Sequence, residues 1–240
     1  MEARLVAELP KEQGWQYEPK WDGFRCLAFK NKQKVELRAK SGKPLTRYFP
    51  EVVAALKTAK AERFVLDGEL IIEQGETLSF DALQMRLHPA QSRIDKLSRE
   101  TPALLMCFDM LLGASGDVLV DKPLHVRRAA LEAFFATDTP LLRLSPFSRK
   151  RSDAQRWLSN TGRGALDGIV AKQIDQHYFP GERAMLKIKC LRTADCVVGG
   201  FRYETDSKLV GSMLLGLYNA DGKLDHVGFT SAFRMKRAKP

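Results

Sequence analysis

The chain has 240 residues, 44% of them apolar, which is enough for one large domain or for a domain with a small second unit. It has no apolar run of the roughly 18 to 20 residues that span a bilayer and no secretory-signal core, which argues against a membrane protein and a secreted protein. It has no Cys-x-x-Cys pair, which argues against a disulfide or zinc scaffold. Together these features favour a cytoplasmic location. A formal charge of +10 favours a polyanionic partner, although many basic proteins bind no nucleic acid.

Residues 1–192 alternate between strand and helix patterns, which predicts an α+β domain. The predicted helices begin at Pro50, cover 124–136 and cover 152–160, the last with Ser152 as its cap. The predicted strands are a hairpin of 23–30 and 34–38, then 64–72, 103–112 and 169–171.

The predicted secondary structure changes after Arg192, where helix patterns no longer occur. Three short strands are predicted at 194–203, 212–218 and 224–230, with no helix among them. This pattern is typical of the start of a small β-barrel, and residues 193–240 are too few to close a five-stranded one. We therefore predict domains at 1–192 and 193–240, and a basic tail at 234–240 that is a solvated terminus.

The most informative segment is Lys20-Trp21-Asp22-Gly23-Phe24-Arg25, which has a Lys-x-Asp-Gly-x-Arg frame. A lysine among apolar groups and other cations can lose its proton and attack phosphorus. The glycine permits a tight turn and a close backbone approach. Lys20 is therefore the candidate nucleophile, and the alternative is an exposed lysine in a strand.

Two acids, Asp67 and Glu69, flank Gly68 within an apolar strand. Residues two apart in a strand point to the same face, and burying a carboxylate without a partner costs several kcal/mol. The pair therefore predicts a metal or sugar-hydroxyl site, with a hairpin turn at Asp-Gly as the alternative.

Further candidates follow along the chain. Phe108 ends an apolar strand, where an aromatic ring could stack on a purine. Asp167 and Lys172 stand near opposite ends of a short strand. Lys187 and Lys189 alternate with apolar residues, which predicts two lysines on one face of a strand and favours a phosphate-binding wall over a solvated charge run.

In this order and spacing, the motifs resemble those of the ATP-dependent DNA ligases, within the covalent nucleotidyltransferase superfamily. The small bacterial ligases and the ligase domains of bacterial end-joining systems are most similar. The resemblance covers residues from about 10 to 235 and rests on six ordered motifs: 14–25, 42–46, 66–69, 108–109, 167–172 and 186–189. It implies an adenylation domain of antiparallel sheets flanked by helices, followed by a partial OB-fold.

The resemblance also implies roles for individual residues. Lys20 would form a lysyl-AMP phosphoramide, Glu18 would lie beside the adenine, and Phe108 would stack on it. Arg25 would lie near the ribose and the nick. Glu69 would hold a ribose hydroxyl or help to bind a metal ion.

Five further positions complete the implied set. Asp167 would serve the metal where the family often has glutamate, and Lys187 and Lys189 would neutralise the α-phosphate and the leaving pyrophosphate. Lys172 and Lys40 would also contact the nucleotide or a phosphate. The implied cofactors are ATP and Mg²⁺ or Mn²⁺, and the implied partners are nicked or broken duplex DNA and end-joining repair proteins, with the chain acting as a monomer in the bacterial cytosol.

The chain departs from the family pattern at three places. Lys40 replaces an arginine and so lacks the bidentate fork that grips a 5′-phosphate. Met185 replaces a tryptophan, and the family's C-terminal Arg-x-Asp-Lys-type segment, which orients pyrophosphate, is not found. Two alternatives therefore stay open: an RNA ligase or capping guanylyltransferase, and a DNA-binding module without catalysis.

Overall fold

The structure is a computed structural model, and it describes residues 1–75, 77–88, 90–136, 139–161, 166–189 and 193–231. The chain divides into two compact units, Met1–Cys190 and Leu191–Pro240. Strands and helices are mixed along the first unit, so the predicted α+β class is confirmed.

The first unit contains eleven strands and five helices among its described residues, together with a 3-10 turn at Thr46–Tyr48. The strands are β1 (Ala3–Leu5), β2 (Trp15–Trp21), β3 (Phe24–Asn31), β4 (Lys34–Ala39), β5 (Arg63–Ile71), β6 (Glu73–Gln74), β7 (Thr77–Leu78), β8 (Leu104–Leu112), β9 (Leu142–Leu144), β10 (Leu166–Gln173) and β11 (Met185–Ile188). The helices are α1 (Pro50–Thr58), α2 (Phe80–Met85), α3 (Gln91–Glu100), α4 (Leu124–Phe134) and α5 (Arg151–Ser159).

Two sheets organise this unit. The larger has the order β4-β3-β5-β8-β9 and is antiparallel except for the β8–β9 pair. The smaller has the order β1-β11-β10-β2 and is antiparallel except for the β1–β11 pair. Only Asp22 and Gly23 separate β2 of the smaller sheet from β3 of the larger one, so this short corner joins the two sheets.

Side-chain periodicity explains how each sheet is buried. In α1, Val52, Ala55 and Leu56 recur at helical spacing and pack into the core of the larger sheet. In the smaller sheet, Ile169 and Ile188 are buried on the face that packs against α5. Their neighbours along the strands point to the opposite face, which is therefore free to line a cavity.

The structure excludes one alternative, the hairpin turn at Asp67 and Gly68, and contradicts one prediction, the cap at Ser152. Asp67 and Gly68 lie inside β5, which pairs with β3 on one side and β8 on the other, so no hairpin turn forms there. Ser152 is not a cap, because α5 already begins at Arg151. Instead, the Ser148 hydroxyl accepts a hydrogen bond from the Lys150 backbone N–H at 3.0 Å, just before the helix.

The second unit contains three strands among its described residues, β12 (Val197–Tyr203), β13 (Val210–Tyr218) and β14 (Leu224–Thr230). They form an antiparallel sheet in sequence order. Large apolar side chains of this sheet are exposed, among them Phe201 and Phe229 at 55% and 69%. The predicted basic tail at 234–240 lies outside the described residues.

Within the part of the chain that the structure describes, no helix is both long enough and apolar enough to cross a membrane.

Candidate active site

The face of the smaller sheet opposite α5 carries a regular array of functional side chains. Glu18 on β2 pairs with Val170 on β10, which pairs with Lys187 on β11, so these three residues share a face. Lys20 pairs with Gly168 two residues further along the same strands. This face and the larger sheet enclose a cavity of about 510 Å³, to which the larger sheet contributes Arg25, Glu69 and Phe108, among others.

One carboxylate oxygen at this site holds two ammonium groups. Asp167 Oδ2 lies 2.6 Å from Lys20 Nζ and 2.6 Å from Lys189 Nζ. Partial burial opposes ionisation of Asp167, but the hydrogen bonds from Lys189 and Lys20 outweigh it and lower the pKa of the carboxyl. Asp167 is therefore an anion that holds Lys20 at the cavity.

A backbone irregularity brings Asp167 to this side of the sheet. The register between β10 and β2 shifts between Leu166 and Gly168, which turns Asp167 out of strict alternation. Gly168 has a φ of +146°, and a Cβ built there would lie 2.1 Å from the Ile188 carbonyl oxygen. Glycine is required at this position because β11 approaches too closely for a side chain.

At another part of the cavity, a buried ion pair lies beside an aromatic ring. Lys172 Nζ is 2.7 Å from Glu18 Oε2, with both side chains only 3% exposed, and Gln16 Nε2 donates to Glu18 Oε1 at 2.8 Å. The ion pair lacks hydrogen-bond geometry at Lys172, whose ammonium also lies 4.6 Å from the centroid of the Phe108 ring. An acceptor and a donor side by side next to an aromatic face fit the edge of a heterocyclic base.

Arg25 is held in place by a buried network. Its Nε and Nη2 donate to the two oxygens of Asp67 at 2.9 and 2.6 Å, and its Nη1 donates to the Met1 carbonyl at 2.7 Å. The Tyr178 hydroxyl donates to Asp67 at 2.8 Å. Burial opposes ionisation of Asp67, but Arg25 and these hydrogen bonds lower its pKa. Asp67 is thus occupied by Arg25 and Tyr178, so the pair of acids predicted to share a metal or sugar site is divided between two roles.

Glu69, the second acid of that pair, lines the cavity. Burial raises its pKa to about 7, against the opposing charges of Lys20 and Arg25. Among the described residues, no hydrogen bond or ion pair engages its carboxyl group, so it is available to a ligand.

Glu69 and Asp167 are the two acids that could hold a divalent metal. No cluster of three or more metal-ligating side chains occurs among the described residues. Two carboxylates nevertheless fit Mg²⁺, because this ion commonly binds through one or two carboxylates and takes its other ligands from water and phosphate.

A second cavity, of about 900 Å³, adjoins the first and shares Glu2, Arg25, Lys40 and Glu69 with it. Lys40 lies at this junction and pairs with Glu2 at 2.8 Å. The structure thus brings together the predicted site residues. Asp167 contacts Lys20, and Lys189 contacts Asp167. The residues that line the first cavity are Glu18, Lys20, Arg25, Lys40, Glu69, Phe108, Lys172 and Lys187.

Sequence reasoning missed Glu2, Tyr178 and Arg183, which also belong to these networks or walls. Glu2 precedes a strand of only three residues, which is too short for a periodic signal. Tyr178 lies in a segment without regular secondary structure, where nothing in the sequence indicates a contact with Asp67.

Comparison with known proteins identifies the fold and its family. The model of the ATP-dependent DNA ligase domain matches residues 3–189. The chain belongs to the ATP-dependent DNA ligase family. DNA ligase C2 of Mycolicibacterium smegmatis is 45% identical over 236 residues, which cover 98% of this chain and 66% of that protein. The chain thus spans about two thirds of the length of this ligase relative.

Two further matches extend the comparison of this ligase-family chain. A solved structure of mycobacterial DNA ligase D complexed with ATP and MES superposes with a TM-score of 0.59 and 26% identity, covering 96% of this chain and 72% of that one. The multifunctional non-homologous end joining DNA repair protein LigD of Mycobacterium tuberculosis is 29% identical over 222 residues, or 90% of this chain and 27% of that protein. The resemblance read from the motifs is confirmed.

Proposed function

We propose that the chain is an ATP-dependent DNA ligase that works through a lysyl-AMP on Lys20. The Lys20 amine attacks the α-phosphorus of ATP, a nitrogen–phosphorus bond forms, and pyrophosphate leaves. The AMP then passes to the 5′-phosphate at a break, and the 3′-hydroxyl displaces it to seal the strand. The observation that carries the proposal is the contact of Lys20 with Asp167, which also binds Lys189, beside a cavity that is lined by Lys20 and by a buried polar pair next to Phe108.

The buried polar pair supports adenine as the base. The exocyclic amine of adenine can donate to Glu18, and the neighbouring ring nitrogen can accept from Lys172, while Phe108 offers a stacking face. Guanine presents an oxygen and an N–H at the same two positions, so it would place acceptor against acceptor and donor against donor. This pattern favours a ligase over a GTP-dependent capping enzyme.

The lysines around Asp167 support binding of the triphosphate by ammonium groups. Lys20 must give up a proton before it attacks, and Asp167 is the anion in direct contact with it. Lys189 shares that anion, and Lys187 lines the same wall. Phosphate oxygens can take over the Lys189 ammonium group from Asp167 and can bind that of Lys187 directly, which neutralises the α-phosphate and the leaving pyrophosphate.

A divalent ion such as Mg²⁺ would be held by Asp167 and Glu69, and when bound it would supply positive charge to the phosphates. Arg25 stays fixed by Asp67 while this happens, because its fork is already satisfied by both carboxylate oxygens.

The second cavity and the overall charge support a DNA partner. Lys40 and Lys43 line this cavity, so a 5′-phosphate at a break can approach the nucleotide from there. We propose nicked or broken duplex DNA as substrate, end-joining repair proteins as partners, a monomeric state, a cytoplasmic location, and residues 193–240 as the start of an OB-fold. The name of the related end-joining protein LigD supports the partner proposal.

The test is labelling by α-labelled ATP with Mg²⁺, read on a denaturing gel after pyrophosphate has removed any bound AMP. We expect a label that depends on Lys20, disappears in Lys20→Ala and persists in Lys60→Ala, a matched control at an exposed lysine outside the cavity. A label that survives in Lys20→Ala would refute the mechanism.

The same gel separates the alternatives. Labelling by GTP in place of ATP would indicate a capping-type enzyme. If no label forms with either nucleotide, sealing of a nick that is already adenylated distinguishes a chain unable to begin the reaction from a module that only binds DNA.

A further inference from the structure

The segment before β1 contributes two contacts to the site that the ligase motifs do not include. Backbone bonds fix this segment: the Glu2 N–H donates to the Glu182 carbonyl at 2.6 Å, and the Met185 N–H donates to the Glu2 carbonyl at 3.1 Å. From this position Met1 offers its carbonyl to Arg25, and Glu2 offers its carboxylate to Lys40.

The Glu2–Lys40 pair lies at the boundary between the two cavities. Both residues line both cavities, and their charged atoms are 2.8 Å apart. Glu2 belongs to the segment that extends the smaller sheet, and Lys40 directly follows β4 of the larger sheet. The ion pair therefore spans the junction through which a 5′-phosphate in the second cavity would reach the nucleotide.

We propose that the Glu2 carboxylate occupies Lys40 in the free protein and competes with the 5′-phosphate of a DNA break for this ammonium group. The proposal rests on the proposed function, in which Lys40 contacts that phosphate. A carboxylate and a phosphate both accept hydrogen bonds from a lysine ammonium, so they cannot hold the same donor in the same place. Glu2 thus sets how much of the intrinsic affinity of Lys40 for phosphate is available.

Because the Glu2–Lys40 pair is partly exposed, a DNA 5′-phosphate can displace the Glu2 carboxylate from Lys40. The side chains of Lys40 and Glu2 are 56% and 31% exposed, so the pair is weak and water can solvate either partner after they separate. A terminal phosphate carries close to two negative charges near neutral pH, against one for the carboxylate. Release of Lys40 should therefore change DNA affinity by a factor of about two to five, the range of exposed ion pairs.

The test compares two nicked duplexes that differ only in a 5′-phosphate or a 5′-hydroxyl. Binding is measured at low salt without ATP, in the full chain carrying Lys20→Ala so that no sealing occurs. The variants are Glu2→Gln, Lys40→Ala and their combination. Glu8→Gln is the matched control, because it removes one exposed negative charge close to Glu2 in the sequence and Glu8 lines neither cavity.

We expect Glu2→Gln to tighten binding of the 5′-phosphate nick about two- to fivefold, to leave the 5′-hydroxyl nick unchanged, and to lose its effect in the Lys40→Ala background. Equal tightening on both nicks or in Glu8→Gln, unchanged binding, weaker binding, or a parent that does not distinguish the two nicks would overturn the proposal. Lysyl-AMP formation is assayed separately in the parent chain with Lys20 intact, so failure of this proposal is distinguishable from failure of the proposed function.

Discussion

Replacing Glu69 by glutamine tests the electrostatics of the cavity through stability alone. Burial raises the pKa of this carboxyl from 4.5 to about 7, so the native state binds the proton more tightly than the unfolded chain does. For such an acid, stability is greatest below the unfolded pKa and falls as the pH rises toward the folded pKa. At about 1.4 kcal/mol per pKa unit, the loss is complete above pH 7 and amounts to about 3 kcal/mol. Because the carboxyl keeps some contact with water in the cavity, this is an upper figure.

Glutamine has the same shape and does not titrate. The free energy of unfolding of Glu69→Gln minus that of the parent should therefore rise by up to about 3 kcal/mol between pH 4.5 and pH 7.5. Urea unfolding followed by tryptophan fluorescence measures this, since all three tryptophans, Trp15, Trp21 and Trp157, belong to the first unit. Titrating groups that do not interact with Glu69 contribute equally to parent and variant and cancel in the difference.

The control is Glu73→Gln, which removes an exposed carboxylate at the next strand and measures the effect of a Glu→Gln change outside the cavity. A constant difference for Glu69→Gln would refute the reasoning, because it would mean that Glu69 titrates alike in the folded and unfolded chains.

Two other variants address base selection and strand packing. Glu18→Gln combined with Lys172→Met leaves no buried charge unpaired. The double variant should lower the preference for ATP over GTP by at least about tenfold in competitive labelling, since hydrogen bonds to charged groups contribute about 1.5 to 3 kcal/mol. An unchanged preference would show that this pair does not recognise the base. Gly168→Ala would press a Cβ against β11 and displace Asp167, so we expect lysyl-AMP formation to fall about a hundredfold and the melting temperature to drop. The control Gly228→Ala, with no atom within 4 Å of its Cβ, should change neither. Full labelling by Gly168→Ala would show that the two strands can separate without loss of activity.

The sequence predicted long elements and charged motifs better than short ones. α1 and α4 have a clear helical period, and β5 and β8 are long strands rich in apolar residues, so these elements were predicted close to where they lie. β1 and β9 have three residues each, and β9 exists because β8 offers it an edge. Such strands depend on tertiary pairing rather than on local propensity.

The candidate site shows the same division between local pattern and long-range contact. The strict alternation of Lys187 and Lys189 with apolar residues predicted that they share a face, and the structure places both lysines toward the cavity side. The sequence could not reveal that Asp67 is taken by Arg25 and Tyr178, since Tyr178 is separated from Asp67 by 111 positions. Partners of buried charges are set by chain topology, which the motifs do not encode.

The short corner at Asp22 and Gly23 fixes the distance between Lys20 and Arg25. Lys20 lies near the end of β2 on one wall of the cavity, and Arg25 lies near the start of β3 on the other wall. The length of the segment between them therefore limits how far apart the two walls can lie. A Cβ at Gly23 would lie 2.2 Å from the Leu70 carbonyl oxygen, so any side chain there would displace the corner from β5 of the larger sheet. Inserting or deleting one residue would turn Arg25 to the opposite face of β3. This part of the chain should therefore tolerate no change in length, whereas the longer connections between the other strands can vary without altering the width of the cavity.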